Sequence, residues 1–556
     1  MKKSVIRISI IAAMLLSFAA CDDVVNIPAT DRLTQDAIWS GDEAILDQYV
    51  IGLYGAVREK STVYMNESQM TDCMTDILKD MDWTQSRRYN RKMMNYEPFI
   101  SDDASILGNW GDSYTRIRRF NEFLRDVQVY GTKYNSDFLN ARVAEVRYMR
   151  AMQYFYLIRV YGGVVLRDKY VGPEENDKAR MTEAESWQWV IDEIKTCAPD
   201  LPAAWDASNF TRMTRVAAYG FLSRVALYAG QWDEVVAAAD SCVKYGAILE
   251  PNYADVFSNK WSKENLMIVD FAPTGLNHNA DQVFRPSGDN SRHGSKGFGY
   301  PMTPTAEFAD AFEMADGSAF SWDAYNANPS AWGNDPFSGR EPRFYATILY
   351  NNEDWEGRKL ETFEGGEDGV RKFEKGTGNA TTTCTGYYLR KFITEGDHSW
   401  DDAGSNHFDI MLRYGEVLLN KAEALANANW SANKTDALKA LNDVRGRVGL
   451  PAKSASTLDE FMDLIEHERI VELGGENFRF WDLRRWKKGV ERLNNVSFHG
   501  VWITQDATAP GGFKYEVSDV DDGTKRVFME RYYCFALPSA EINNNAALGG
   551  QNNPGW

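Results

Sequence analysis

Residues 456–486 run STLDEFMDLIEHERIVELGGENFRFWDLRRW, and the opening half spells a helix entry. Thr457 followed three residues on by Glu460 is a capping box, in which the hydroxyl and the acid satisfy amides of the first turn. Leu458, Phe461 and Ile465 then set an apolar stripe whose 3,4 continuation arrives at Glu468 and Glu472. Two carboxylates thus fall on the seam that a helix buries, and a buried acid needs partners. Arg469, Arg479, Arg484 and Arg485 are close enough along the chain to supply bidentate ones. The expectation is a structural ion network that clamps Phe480, Trp481 and Trp486 into the core. A pair of general acid/base carboxylates is the enzymatic alternative. The excess of arginines argues against it, because it would keep both acids ionised where an acid catalyst needs a raised pKa.

Working outward, the same helical period recurs in pairs. In MTRVAAYGFLSRVALYAGQWDEVVAAADSCVKYG, residues 213–246, Ala217, Phe221, Val225 and Tyr228 share one face. Gly230 interrupts, and Trp232, Val235, Ala239 and Val243 begin a second stripe. Helix, tight turn and helix in about 34 residues is the tetratricopeptide period. Upstream, Ala144, Tyr148, Ala151, Phe155 and Ile158 form another stripe, followed by a second capping box at Thr182 and Glu185. Downstream, Met411, Tyr414, Leu418, Ala422 and Leu425 pair with Ala437, Leu441, Val444 and Val448. Residues 45–57 and 110–127 give a more widely separated pair. Such pairs cannot bury their apolar faces alone, so stacked repeats are expected rather than isolated hairpins. The fold class is mainly α, a tetratricopeptide-like helical-repeat scaffold.

Residues 251–408 break the rhythm. They are rich in Gly, Pro, Asn and Asp yet densely aromatic, including Phe298, Tyr300, Phe320, Trp322, Tyr325, Trp332, Phe337 and Trp355. Low hydrophobicity is what keeps a segment unfolded, and these rings are enough to pack a loop-rich, irregular subdomain onto the frame. A shorter aromatic excursion, residues 66–96, interrupts the first helix pair, and the two are placed to meet in space. The resulting division is 1–20 leader, 21–250 amino-terminal helical half and 251–556 carboxyl-terminal half containing the irregular 251–408.

The leader has Lys2, Lys3 and Arg7 before an apolar centre and Ala19–Ala20 before Cys21, the layout of an export signal. It is too short for a spanning helix, and no later apolar run reaches the roughly 18 residues that spanning requires. An ordinary secretory signal with a chance cysteine is the alternative to a lipid-modified Cys21. Charge narrows the partners: 61 basic against 80 acidic residues give a net charge of −19, which disfavours a phosphate backbone and hence nucleic acid. Cys73, Cys197, Cys242, Cys384 and Cys534 contain no CxxC pair, and the six histidines no HExxH, so neither a disulfide framework, a zinc site nor any other cofactor is expected. GxSxG, Walker A and GxGxxG motifs are missing too. DVDDG at 519–523 has its Gly one place early for a calcium loop. A hairpin turn between KYEVSDV and KRVFME is the expectation there.

ERIVELGGENFRFWDLRRW, 468–486, closely resembles the signature of SusD/RagB outer-membrane lipoproteins, and FALPSAEINNNAALGGQNNPGW, 535–556, resembles their carboxyl terminus. YMRAMQYFYLIRVYGG and RYGEVLLNKAEALA match the family's helices. The motifs occur in the family's order along essentially the whole chain. Ser539 stands where a second Pro often falls, and QNNPGW carries an extra Asn. Ser17 to Cys21 resembles a lipobox with Phe18 for the usual Leu, and Asp22–Asp23 resembles the acidic tract by which Bacteroidetes lipoproteins are sent to the cell exterior. The resemblance implies a lipoprotein acylated at Cys21, held on the outer face of the outer membrane. It further implies four tetratricopeptide-like units, a seat on a SusC-type TonB-dependent transporter, and capture of oligosaccharide or, alternatively, peptide without catalysis. By the same analogy the ligand surface would be built from Asp72, Trp83, Arg88 and Tyr89 with Tyr300, Trp322 and Tyr325. A surface-anchored glycan hydrolase is the third reading, and no catalytic spacing supports it.

Overall fold

Apolar stripes at helical spacing account for most of the secondary structure. The computed structural model describes residues 35–60, 70–80, 92, 95–172, 177–272, 275–289, 302–374, 382–393, 395–396 and 404–556. The leader, Cys21 and the two aspartates after it lie outside these residues. Helix α1 (Glu43–Leu53) begins at Asp42, whose carboxylate accepts from the amides of Ala44 and Ile45. A three-residue strand β1 (Leu78–Asp80) follows. Helices α2 (Trp110–Tyr130) and α3 (Ser136–Tyr161) are capped by Asn109 and Asn135, since an Asn side chain at that position satisfies an amide the helix leaves unpaired. In α4 (Glu183–Cys197) the Thr182–Glu185 capping box forms in both directions. Thr214 caps α5 (Arg215–Tyr228), and α6 (Trp232–Lys244) packs back on α5.

The expected stripe of α3 is buried at all five positions. On α6 the stripe shifts: Val235, Ala238, Ala239 and Cys242 are buried, whereas Val243 is 54% exposed. Seven residues return a helix to within about 20° of its starting face and eight overshoot by about 80°, so Cys242, not Val243, continues the line from Val235.

The carboxyl-terminal half alternates ribbons and helices. Strand β2 (Asn265–Val269) pairs antiparallel with β4 (Asp409–Arg413), and β3 (Met302–Pro304) pairs with β1 in the register Asp80 to Met302. The two aromatic excursions therefore do meet. Between β3 and β4 lie α7 (Ala306–Ala311) and α8 (Trp322–Ala327). After β4 come α9 (Tyr414–Arg447), α10 (Leu458–Leu473) and α11 (Arg479–Arg485). The downstream helix pair is α9 itself, broken at Asn429, whose φ of −167° and ψ of 95° are not helical. Strands β5 (His499–Gln505) and β6 (Phe513–Asp519) form a hairpin. One apolar core extends through both halves of the chain, from Ile38 to Leu548.

The hairpin corrects the reading of 514–530. Strand β6 pairs backward with β5, and KRVFME forms no strand with it. Arg526 N instead donates to Val496 O at 2.8 Å and Val527 N to Asn95 O at 2.6 Å. Asp519 turns the chain by accepting from the amides of Asp521 and Gly523.

The acids of α10 are buried as expected, Glu468 at 1% and Glu472 at 0% exposure, but their partners come from elsewhere. Glu472 binds Arg413 at 2.7 Å and Arg343 at 3.0 Å, and also Arg447. Glu468 binds Arg343 and Arg445. The arginines nearest in sequence serve other groups. Arg469 pairs with Asp482, Arg479 with Asp76 and Glu466, and Arg485 with Glu423 and Asp482, while Arg484 donates to main-chain carbonyls of Arg159, Tyr532 and Tyr533. Burial alone would raise the Glu472 pKa, but Arg447, Arg413 and Arg343 outweigh it and hold the carboxyl well below the usual range. Phe480 and Trp481 are buried beside this network and Trp486 is partly so, its indole donating to Glu423 at 2.8 Å.

Candidate ligand surface

Short helices hold rings at the surface of the irregular subdomain. Thr305 caps α7 by accepting from the Phe308 amide at 3.2 Å, and α7 presents Asp310. Ser321 caps α8, so the first helical residue is Trp322. Its indole Nε1 donates to Asp310 Oδ2 at 3.1 Å. Burial, reinforced by Glu307 and opposed by Arg340, pushes the Asp310 pKa up to about 7.

From Trp322 a ladder of rings runs in two directions. Toward its own loop it meets Phe320 edge-on at 5.2 Å, and Phe320 meets Trp332 at 5.7 Å. Toward the hairpin it tilts over Tyr515 at 5.8 Å; Tyr515 neighbours Phe513 at 6.4 Å, and Phe513 neighbours Phe363 at 5.5 Å. Trp322, Trp332, Phe363, Phe513 and Tyr515 are each half-buried, while Phe320, Phe337 and Phe344 beneath them are buried. The rim carries exposed Asp323, Asn326, Asn328 and Asn334. Flat apolar faces bordered by amides and carboxylates suit a ligand with apolar C–H faces and peripheral hydroxyls, because aromatic side chains give large contact area and polar groups fix orientation.

The sequence-nominated residues separate. Trp322 presents a partly open ring. Tyr325 is 3% exposed, lies 6.2 Å from Trp322 and donates to Asn334 O at 3.3 Å, so it forms floor beneath the ladder. Asp72 is fully enclosed: its Oδ2 accepts from the amides of Gly475 at 2.9 Å and Asn477 at 3.0 Å, and burial pushes its pKa up to about 7. It ties the first excursion to the GGEN turn and offers no open atom to a surface ligand. Trp83, Arg88, Tyr89 and Tyr300 lie outside the described residues.

Sequence reasoning missed Phe363, Phe513 and Tyr515. A signal was present in FKYEV, where strand alternation sets Phe513, Tyr515 and Val517 on one face. Among the described residues, no group of three or more His, Cys, Asp or Glu side chains is arranged to hold a metal ion. No described helix is long and apolar enough to cross a membrane.

A family model described as the SusD family matches residues 263–556, more than half of the chain. The chain belongs to the SusD family. A second model, described as starch-binding and associating with the outer membrane, matches residues 31–227. Over its length this SusD-family chain is similar to a SusD-like protein of Bacteroides ovatus, at 22% identity, covering 97% of this chain and 93% of the relative. Among solved structures it is similar to a SusD-like protein of Bacteroides fragilis, with a TM-score of 0.79 and 27% identity, over 95% of this chain and 99% of the other. It also shares the fold of a SusD-like carbohydrate-binding protein of B. fragilis, with a TM-score of 0.74 and 24% identity, over 92% and 99% of the two chains. The mainly α architecture is that of the family.

Proposed function

We propose that this SusD-family protein captures oligo- or polysaccharide at the surface of the outer membrane and passes it to a SusC-type TonB-dependent transporter, without making or breaking a bond. In this reading Cys21 is acylated and moors the chain. Several acyl chains on one residue hold firmly, at about 0.8 kcal/mol per buried methylene, and the tether makes hand-over local, so modest affinity per site is enough. The observation that carries the reading is the ladder of half-buried rings from Trp332 to Phe363, with Trp322 over Tyr515 at its centre. It is supported by the carbohydrate-binding name of one structural neighbour and the starch-binding description of the amino-terminal family model. On this proposal Trp83, Arg88, Tyr89 and Tyr300 also take part in capture.

Affinity electrophoresis against a panel of neutral and acidic polysaccharides tests it. Retardation of the unaltered protein by at least one polymer, lost in Trp322→Ala and reduced in Tyr515→Ala, is the expected result. Retardation that survives both substitutions removes the ladder from the site.

A further inference from the structure

A second place in the molecule is built for a different chemistry. Between α3, α5, α11 and the turn at 476–478 lies a cavity of about 50 Å³. Its wall includes Lys60, Tyr156, Arg159, Arg224, Asn477 and Trp481. Among the described residues its one lining carboxylate, Glu476, is engaged by Arg413 and Lys391, each at 2.8 Å. Arg224 is likewise answered, holding Glu416 and the carbonyl of Met411. Lys60 and Arg159 remain. Among the described residues neither forms a hydrogen bond or ion pair with a carboxylate; Arg159 shares a side-chain hydrogen bond with Tyr228, and its buried Nε has no acceptor.

What surrounds these two cations is aromatic. The Arg159 guanidinium lies 3.7 Å from the Trp481 ring centre and 4.8 Å from that of Tyr156, and Lys60 Nζ stands 5.2 Å from the same Tyr156 ring. Ring faces attract a cation, but they bring no negative charge, and two like charges flanking one ring repel each other. Lys60 and Arg159 are each half-buried, and a partly desolvated cation gains when an anion with hydrogen-bond acceptors joins it. The strain shows on Lys60, whose pKa is drawn down to about 8 by burial and by the charge of Arg159, against the opposing pull of Asp112.

We propose that this cavity binds a small oxyanion, a carboxylate, sulfate or phosphate group, between the ammonium of Lys60 and the guanidinium of Arg159. Charge-assisted bonds from a planar guanidinium and a compact ammonium are the usual means of holding such a group. The space, on the order of a few water molecules, admits the charged group. The occupant is therefore either a free ion or an acidic substituent reaching in from a larger molecule. The proposal stands apart from the glycan ladder, because none of the ladder's rings lines this cavity.

The test is isothermal titration of the full chain with sodium sulfate, sodium acetate and glucuronate, against chloride at matched ionic strength. Saturable binding of at least one oxyanion, absent with chloride, is expected. A tenfold or greater weakening in Lys60→Gln and in Arg159→Gln should follow, with Arg118→Gln, at an exposed site, unchanged. Should Arg159→Gln fail to fold, Arg159→Lys and equilibrium dialysis of the unaltered protein with labelled sulfate replace it. Sulfate or acetate binding as tightly as glucuronate identifies a free ion as occupant, and glucuronate binding at least tenfold tighter identifies an acidic substituent. Absence of saturable oxyanion binding, or full affinity in both Lys60→Gln and Arg159→Gln, overturns the proposal.

Discussion

The seam along α10 and the ring ladder on the irregular subdomain are both assembled from residues far apart in sequence, and they finish differently. In the seam, Glu472 meets Arg343, Arg413 and Arg447, and Arg413 in turn meets Glu264 and Glu476, so each charge is answered inside the protein. On the ladder, Trp322 and Tyr515 pack on neighbouring rings and each stays only half-buried. A contact set that closes on itself is structural. One that stops halfway is where an outside molecule can complete it.

The contrast is broken or sharpened by four measurements. The largest effect belongs to Glu472→Ala, which takes one carboxylate partner from each of three buried guanidinium groups; removing one partner of a buried pair costs about 3–5 kcal/mol. Urea unfolding should show that loss while polysaccharide retardation of the folded fraction stays unchanged. A loss under about 1 kcal/mol would mean that the seam is not closed.

Next comes pH, with opposite signs for the two regions. Burial opposes, but Arg479 and Lys488 hold the seam's Glu466 down to about 2, and outside the seam Arg526 and Lys79 do the same for Asp521. Folded values below the unfolded ones mean stability that is full above the unfolded pKa and lost as pH falls toward 2. Asp310 beneath the ladder has the reverse displacement, up to about 7, so its contribution is full below 3.8 and is lost as pH rises through 7. Thermal midpoints should drop steeply between pH 4.5 and 2, and Asp310→Asn should flatten the gentler decline between about pH 4 and 7. A midpoint that climbs on acidification below pH 4.5 would reverse the assignment for the seam.

A smaller change is expected at the ladder's centre. Trp322→Ala should weaken polysaccharide binding about tenfold, roughly 1.4 kcal/mol, and Tyr515→Ala by less. Smallest of all is Tyr325→Phe, which gives up a single long hydrogen bond from a floor position. It should shift stability by no more than about 0.5 kcal/mol and leave retardation unaltered; a binding loss there would move the ligand surface inward.

The helical frame was legible because period, caps and breakers are local. Thr182 with Glu185, the stripe from Ala144 to Ile158 and the acid-bearing seam of α10 all needed only neighbours within a few turns. The partners of that seam were not legible: Arg343 and Arg413 lie more than fifty residues before Glu472, and proximity in sequence favoured arginines that the fold assigns to Asp76, Asp482 and Glu423. The ladder was half legible for the same reason. Trp322 announced itself in an aromatic, loop-forming stretch, but Tyr515 reaches it only through the β5–β6 hairpin. Asp72 misled because a polar residue beside an aromatic excursion resembles a ligand contact, and its burial depends on Gly475 and Asn477, some four hundred residues away.

The three-residue ribbon of β1 and β3 has a consequence for the order of assembly. It sets Asp80 opposite Met302, two positions far apart along the chain, so a large loop has to close before the pairing returns anything. The ribbon therefore belongs to the last steps of folding, a buckle fastened once the helices are in place.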